Sequence, residues 1–227
     1  MRSHFLFLWA LSLAVLAFGA VVVCPAGECG LTALDRAGLS LAYDLRSGPL
    51  DRAMAAVTWL GSLLVLVPLA GLAAGWHLRR GHRLEAAFMP LALIGSALLA
   101  HLVKLWVVRP RPALYPLTTA LPADWSYPSA HTMQVTAAAV AVFLLLLRHR
   151  TMQWPLIWAI LLAALVVWVG LSRIYLQVHF PSDVLAGGLA AVFWVFGLHA
   201  LIFGQAAKSG RDDKSAVKTV KKAQDTP

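Results

Sequence analysis

Six separate runs of about 20 apolar residues constrain this chain more than any other feature, because about 20 residues of α-helix cross the hydrocarbon core of a bilayer. They lie at about Phe5–Val23, Ala53–Trp76, Ala86–Val108, His131–Leu147, Pro155–Leu171 and Val184–Phe203. In lipid every backbone N–H and C=O must be satisfied within the protein, so such runs read as helices. The expected fold class is therefore all-α, a polytopic bundle of six transmembrane helices. Of 227 residues, 60% are hydrophobic and 13% are charged, too little polar surface to cover this chain in water. The first run can also be read as a signal peptide cleaved near Ala17–Ala20. Its apolar length, about 19 residues against a usual signal core of about 7–15, favours a retained span.

Basic residues near span ends stay on the cytoplasmic side. With six spans, both termini and the second and fourth connections share one side, which carries twelve of the 19 Lys and Arg residues, from Arg2, Arg79, Arg80 and Arg83 through Arg148 and Arg150 to the Lys-rich C-terminus. The expectation is a multi-pass plasma (inner) membrane protein with cytoplasmic termini. The connections after the first, third and fifth spans then face the periplasm or cell exterior. Residues 1–207 form the membrane domain, and 208–227 read as a Lys-rich, disordered cytoplasmic tail drawn to anionic lipid rather than to nucleic acid. Cys24 and Cys29 lie in the first outward connection, where a local disulfide and two free thiols are both open. No repeat of solenoid or inverted-transporter length is present, and the sequence does not specify an oligomeric state.

Charged residues bordering a span need a partner or a function, and three outward clusters stand out. Lys104 and Arg111 are seven residues apart, two helical turns, with Pro110 and Pro112 ending the helix at the membrane surface. Two fixed cations suit a phosphate, the guanidinium as a fork and the ammonium as a point charge; snorkelling at a helix end is the plainer alternative. Ser126–Thr132 precedes the fourth run, with Ser129 placed as an N-cap and His131 at the helix start. Free N–H groups there attract an anion, and imidazole titrates near neutral pH. Ser172–Asp183 contains Arg173, His179 and Asp183 beside another helix start at Pro181. Asp183 can take the proton on one imidazole nitrogen of His179, leaving the other free as nucleophile or base. All three clusters fall on the outward side.

These clusters resemble the three signature motifs of the type-2 phosphatidic acid phosphatase superfamily. Lys-x6-Arg-Pro matches Lys104, Arg111 and Pro112; Pro-Ser-Gly-His matches Pro128, Ser129 and His131, with Ala130 in place of glycine; Ser-Arg-x5-His-x3-Asp matches Ser172, Arg173, His179 and Asp183. The motifs lie within residues 104–183. The resemblance implies a metal-independent phosphatase without a cofactor, working through a phosphohistidine. His179 would be the nucleophile, Asp183 its orienting carboxylate and His131 the acid. Lys104, Arg111, Arg173, Ser129 and the N–H of Ala130 would hold the phosphoryl oxygens. An alanine serves at position 130 if the backbone N–H is what matters, and is strained if the position needs positive φ.

An outward site at headgroup level implies a lipid phosphate partner among membrane lipids. The resemblance implies undecaprenyl diphosphate, phosphatidylglycerol phosphate, phosphatidate and the phosphate of lipid A as candidates, and the expectation is a broad lipid phosphatase or an undecaprenyl-diphosphate phosphatase. A lipid phosphotransferase using the same histidine, and a non-catalytic phospholipid-binding or transport protein, are the alternatives. His101 and His199 read as structural, and Tyr115, Asp124 and Trp125 lie in an outward loop for which headgroup contact and interfacial anchoring by the aromatics are both open.

Overall fold

The computed structural model describes the backbone of residues 2–117, 121–148 and 154–224, and the side chains of residues 4–117, 121–148 and 154–204. Among the described residues the regular structure is helical: α1 (Arg2–Val23), α2 (Ala33–Asp44), α3 (Gly48–Val57), α4 (Leu63–Arg79), α5 (Arg83–Val107), α6 (Ala130–Arg148), α7 (Pro155–Tyr175) and α8 (Pro181–Gln224). Short 3-10 turns cover Pro25–Gly27 and Thr58–Gly61. Five helices are long and apolar enough to cross a membrane: α1, α5, α6, α7 and the Pro181–Gly204 part of α8. A bent pair of helices makes a sixth crossing if its two halves act as one span.

That bend corrects the second expected span. The chain from Ala53 to Trp76 is not one helix: Gly48–Gly61 and Leu63–Arg79 meet at 43°. Ser62 breaks the helix by taking extended backbone (φ −83°, ψ 148°) after the Thr58–Gly61 turn. Gly61 explains why the break sits here. A Cβ on it would lie 2.6 Å from Val169 Cγ1 and 3.1 Å from the His131 carbonyl oxygen, so the turn packs directly on α6 and α7. Gly61→Val is expected to cost about 1–3 kcal/mol through overpacking. A lower thermal midpoint in detergent together with reduced turnover would show this, and an unchanged midpoint would refute the close packing.

α6 is the central helix and meets α4, α5, α7 and α8. Its buried face includes Ala137, Ala138, Ala139 and Ala141, small residues that let neighbouring backbones approach where packing rather than water drives association. α1 lies along α8, with Trp9 stacked on Trp194 at 5.2 Å and Ser12 Oγ donating to the Ala190 carbonyl (2.8 Å).

The connection after the first span is ordered by a covalent link and a helix cap. Cys24 and Cys29 are joined as a disulfide. α2 then begins in a capping box, with Thr32 Oγ1 accepting from Asp35 N (3.1 Å) and Asp35 Oδ2 accepting from Thr32 N (3.4 Å). At the other end of the chain, the tail expected to be disordered from residue 208 continues the α8 helix to Gln224. Extending an existing helix needs no new nucleus, and Ala, Lys and Gln are good helix formers. Side chains beyond 204, and residues 225–227, lie outside the described residues.

Candidate active site

The connections α1–α2, α5–α6 and α7–α8 meet at one end of the bundle. Ser126 N–H donates to the Arg109 carbonyl (2.9 Å) within the α5–α6 connection, Ser129 N–H ties that connection to the Asp183 carbonyl of α8 (3.1 Å), and Arg109 Nη2 ties it to the Gly30 carbonyl of the α1–α2 connection (2.9 Å). Between them lies a cavity of about 470 Å³ lined by Lys104, Arg111, Asp124, Ala130, His131, Gln134, Arg173 and His179, among others. Three chain segments more than 60 residues apart at their extremes thus bring three cations and two imidazoles to one opening.

Lys104 sits in the last turn of α5 and is 2% exposed. Arg111 stands where the two prolines have stopped the helix. Its Nη1 donates to the Val178 carbonyl (2.6 Å) and lies 3.2 Å from His179 Nε2. Arg173, in the last turn of α7, donates from Nη1 to Thr58 Oγ1 (2.7 Å) and keeps its buried Nε–H uncommitted. The broken second span thus supplies the hydroxyl that fixes one of the cradle's cations.

His179 is 1% exposed, and its two nitrogens face different partners. Nδ1 lies 3.4 Å from Asp183 Oδ2, while Nε2 faces Arg111. A guanidinium can only donate, so the pairing assigns the proton to Nδ1 and the lone pair to Nε2, on the cavity side. Burial first, then Arg111, Arg173 and Lys104, push the imidazole well below its ordinary pKa. The ring is therefore neutral at pH 7, as a nucleophile requires. Asp183 Oδ2 also accepts from Phe180 N (3.0 Å) and from the Ser126 hydroxyl.

Not every residue expected at the cradle lines it. Ser129 is fully buried, with its hydroxyl 3.0 Å from Thr132 Oγ1. It packs behind the opening, where its backbone joins α6 to Asp183. Ala130 does line the cavity, as the first residue of α6. Its helical backbone lets the methyl group replace hydrogen without strain. His101 is exposed on α5, away from the cavity, and His199 packs between Phe88 (5.7 Å) and Phe203 (4.9 Å).

Other residues at the site carried no reading as site residues in the sequence. Arg109, Ser126 and Thr58 bond to the motif residues Asp183 and Arg173, Asp35 bonds to Arg109, and Gln134 lines the cavity one turn along α6 from His131. The Thr32–Asp35 capping box was the one local signal available for Asp35.

Asp124 occupies the anion site. Its carboxylate lies 3.1 Å from Lys104 Nζ and pairs with Arg111 Nη2, while its carbonyl accepts from Arg111 Nε (2.8 Å). Burial raises its pKa, but Lys104 and Arg111 together outweigh this and hold the group below the ordinary carboxylate range. These ion pairs therefore persist at neutral pH and are lost only as pH falls through the lowered value. A substrate phosphate must compete with this carboxylate. Asp124→Asn is expected to lower both the KM for a lipid phosphate and the inhibition constant of inorganic phosphate by about three- to tenfold. Steady-state kinetics would show it; a raised KM would mean that Asp124 holds the cations in place instead.

Comparison with known proteins agrees with this arrangement. The family model described as "PAP2 superfamily" matches residues 85–206, which include the three site segments. The chain is 31% identical over 173 residues to phosphatidylglycerophosphatase B of Bacillus subtilis, covering 72% of this chain and 82% of that protein. It is 30% identical over 164 residues to a lipid A 1-phosphatase of Rhizobium etli, covering 65% and 66% of the two chains. The crystal structure of a transmembrane PAP2-type phosphatidylglycerolphosphate phosphatase from Bacillus subtilis superposes with a TM-score of 0.69 at 27% identity, over 90% of this chain and 96% of that one.

Proposed function

This chain belongs to the PAP2 superfamily of membrane phosphatases, and from that premise we propose that it hydrolyses the phosphomonoester of a membrane glycerophospholipid, phosphatidylglycerol phosphate foremost, through a phosphohistidine on His179. The observation that carries this reading is the single opening lined by Lys104, Arg111, Arg173, His131 and His179. Its cations select a phosphate, and its place at the end of a membrane bundle suits a lipid-borne one. Similarity to the Bacillus phosphatase over most of both chains favours the glycerophosphate headgroup over undecaprenyl diphosphate or lipid A.

In the first step the Nε2 lone pair of His179 attacks phosphorus. The N–P bond forms as the ester P–O bond breaks, and the departing lipid alkoxide takes a proton from His131, which the negative charge of the bound phosphate keeps protonated. In the second step His131 removes a proton from water, which attacks phosphorus. The N–P bond breaks, inorganic phosphate leaves and His179 returns to its neutral form. Lys104, Arg111 and Arg173 stabilise the charge spread over the phosphoryl oxygens, work that other phosphatases give to a metal. Among the described residues no group of three or more His, Cys, Asp or Glu could hold a metal ion. The excess of basic residues at the termini and the second and fourth connections supports cytoplasmic termini and an opening on the outer face.

The test is phosphate release by the purified protein from a panel of phosphatidylglycerol phosphate, phosphatidate, undecaprenyl diphosphate and lipid A, with EDTA present. Release that survives chelation and is fastest with phosphatidylglycerol phosphate is expected. Intact cells supplied with a short-chain analogue should release phosphate into the medium. Strict Mg²⁺ dependence would overturn the mechanism, a different preferred lipid the substrate, and release only in lysed cells the orientation.

A further inference from the structure

We propose that Asp35 and Arg109 form a buried strut that positions Asp183 against His179, so that two residues outside the three motifs set the geometry of the nucleophile. The proposal rests on the phosphohistidine reading of His179.

The Asp183 carboxylate is divided between two tasks. Oδ1 accepts from Arg109 Nη1 (2.6 Å), while Oδ2 faces His179 Nδ1 and accepts from Phe180 N and the Ser126 hydroxyl. With one oxygen held by a guanidinium fork, the carboxyl plane cannot turn, and the other oxygen stays aimed at the imidazole. The fork is itself held at its far prong. Arg109 Nη2 donates to Asp35 Oδ2 (2.8 Å) and to the Gly30 carbonyl (2.9 Å), and Nη1 also donates to Ser182 Oγ (2.8 Å). The Phe180 ring lies 3.8 Å from the guanidinium carbon. Asp35 Oδ1 accepts from Ser182 N (2.9 Å), so the same carboxylate fixes the first turn of the helix that carries Asp183.

Arg109 does not line the opening that holds His179 and is 1% exposed, so this fourth arginine-or-lysine of the cluster is not a phosphate ligand. Asp35 and Asp183 are fully buried. Two carboxylates share one guanidinium, leaving one negative charge beside His179. That charge opposes the positive charge the ring acquires when Nε2 bonds to phosphorus. Only arginine spans both carboxylates, because its planar fork presents two donor pairs at fixed spacing. The chain accepts strain to place it: Val108, immediately before Arg109, has φ +54°, an uncommon conformation for a β-branched residue.

A buried ion network could serve stability alone, and a double-mutant cycle separates the two roles. Asp35→Asn and Arg109→Lys would each be made in the wild-type and Asp183→Asn backgrounds. Hydrolysis of short-chain phosphatidylglycerol phosphate and inhibition by inorganic phosphate would be measured in detergent. Each single variant is expected to lower kcat about 10–100-fold while KM and the phosphate inhibition constant stay within about twofold. In the Asp183→Asn background each should change kcat by less than about twofold, because the group they act through is already lost. A full second loss there, or a rise in KM in place of the fall in kcat, overturns the strut while leaving the phosphatase reading intact. If Arg109→Lys does not yield folded protein, the isosteric Asp35→Asn arm decides alone. Full turnover by His179→Ala would instead remove the phosphohistidine reading, and the strut with it.

Discussion

His179→Ala is expected to lower phosphate release by about 10⁴-fold or more, the scale on which removing a covalent nucleophile acts. The neighbouring carboxylate cannot take its place. Nε2 is the imidazole nitrogen on the cavity side beside Arg111, while Asp183, the nearest carboxylate, is fully buried and committed to Arg109, Ser126 and Phe180 N. The substitution leaves a cavity where a buried ring stood, so stability must be followed separately. His179→Gln, closer in volume and still able to accept a hydrogen bond, should lose as much activity while unfolding nearer to the wild-type temperature. The direct check is covalent: quenching in alkaline detergent during turnover of ³²P-labelled lipid should trap a base-stable phosphoryl group, lost on later acid treatment, on the wild type and none on either variant. Trapped label on His179→Gln would move the nucleophile elsewhere.

The sequence made the membrane architecture legible because lipid admits so few structures. Five of the spans follow from apolar length alone, since helices are what satisfy the backbone there. The second span resisted for a physical reason. Thr58-Trp59-Leu60-Gly61-Ser62 is apolar enough to read as continuous helix, and its break is set by contact of Gly61 with His131 and Val169, 70 and 108 residues away. The site divided in the same way. Lys104, Arg111, Arg173 and His179 were legible because each lies at a helix end with a chemistry that needs explaining. The direction of the Ser129 hydroxyl was not legible, because capping position does not determine which way a hydroxyl turns, and here it turns to Thr132. Asp35 could be seen as a helix cap, but its contact with Arg109 spans 74 residues and has no local signature.

His131→Ala should distinguish the acid from the nucleophile, because its cost depends on the leaving group. His131 lies in the first turn of α6 and borders both the 470 Å³ opening and a second cavity of about 270 Å³ lined by Thr58, Trp59, Ser62 and Arg173. That position suits a proton donor to an oxygen departing toward the broken second span. A glycerol alkoxide is a poor leaving group and needs the proton, so hydrolysis of phosphatidylglycerol phosphate should fall by about 10³-fold, within the range for general acid catalysis. p-Nitrophenolate leaves without help, so the first step with p-nitrophenyl phosphate should survive. The second step should not, because His131 also activates the water. The variant is therefore expected to release a burst of one p-nitrophenol per active site and then to stall as the phosphohistidine form. Rapid-mixing absorbance would record the burst, and loss of the same size for both substrates with no burst would confine His131 to holding the phosphate.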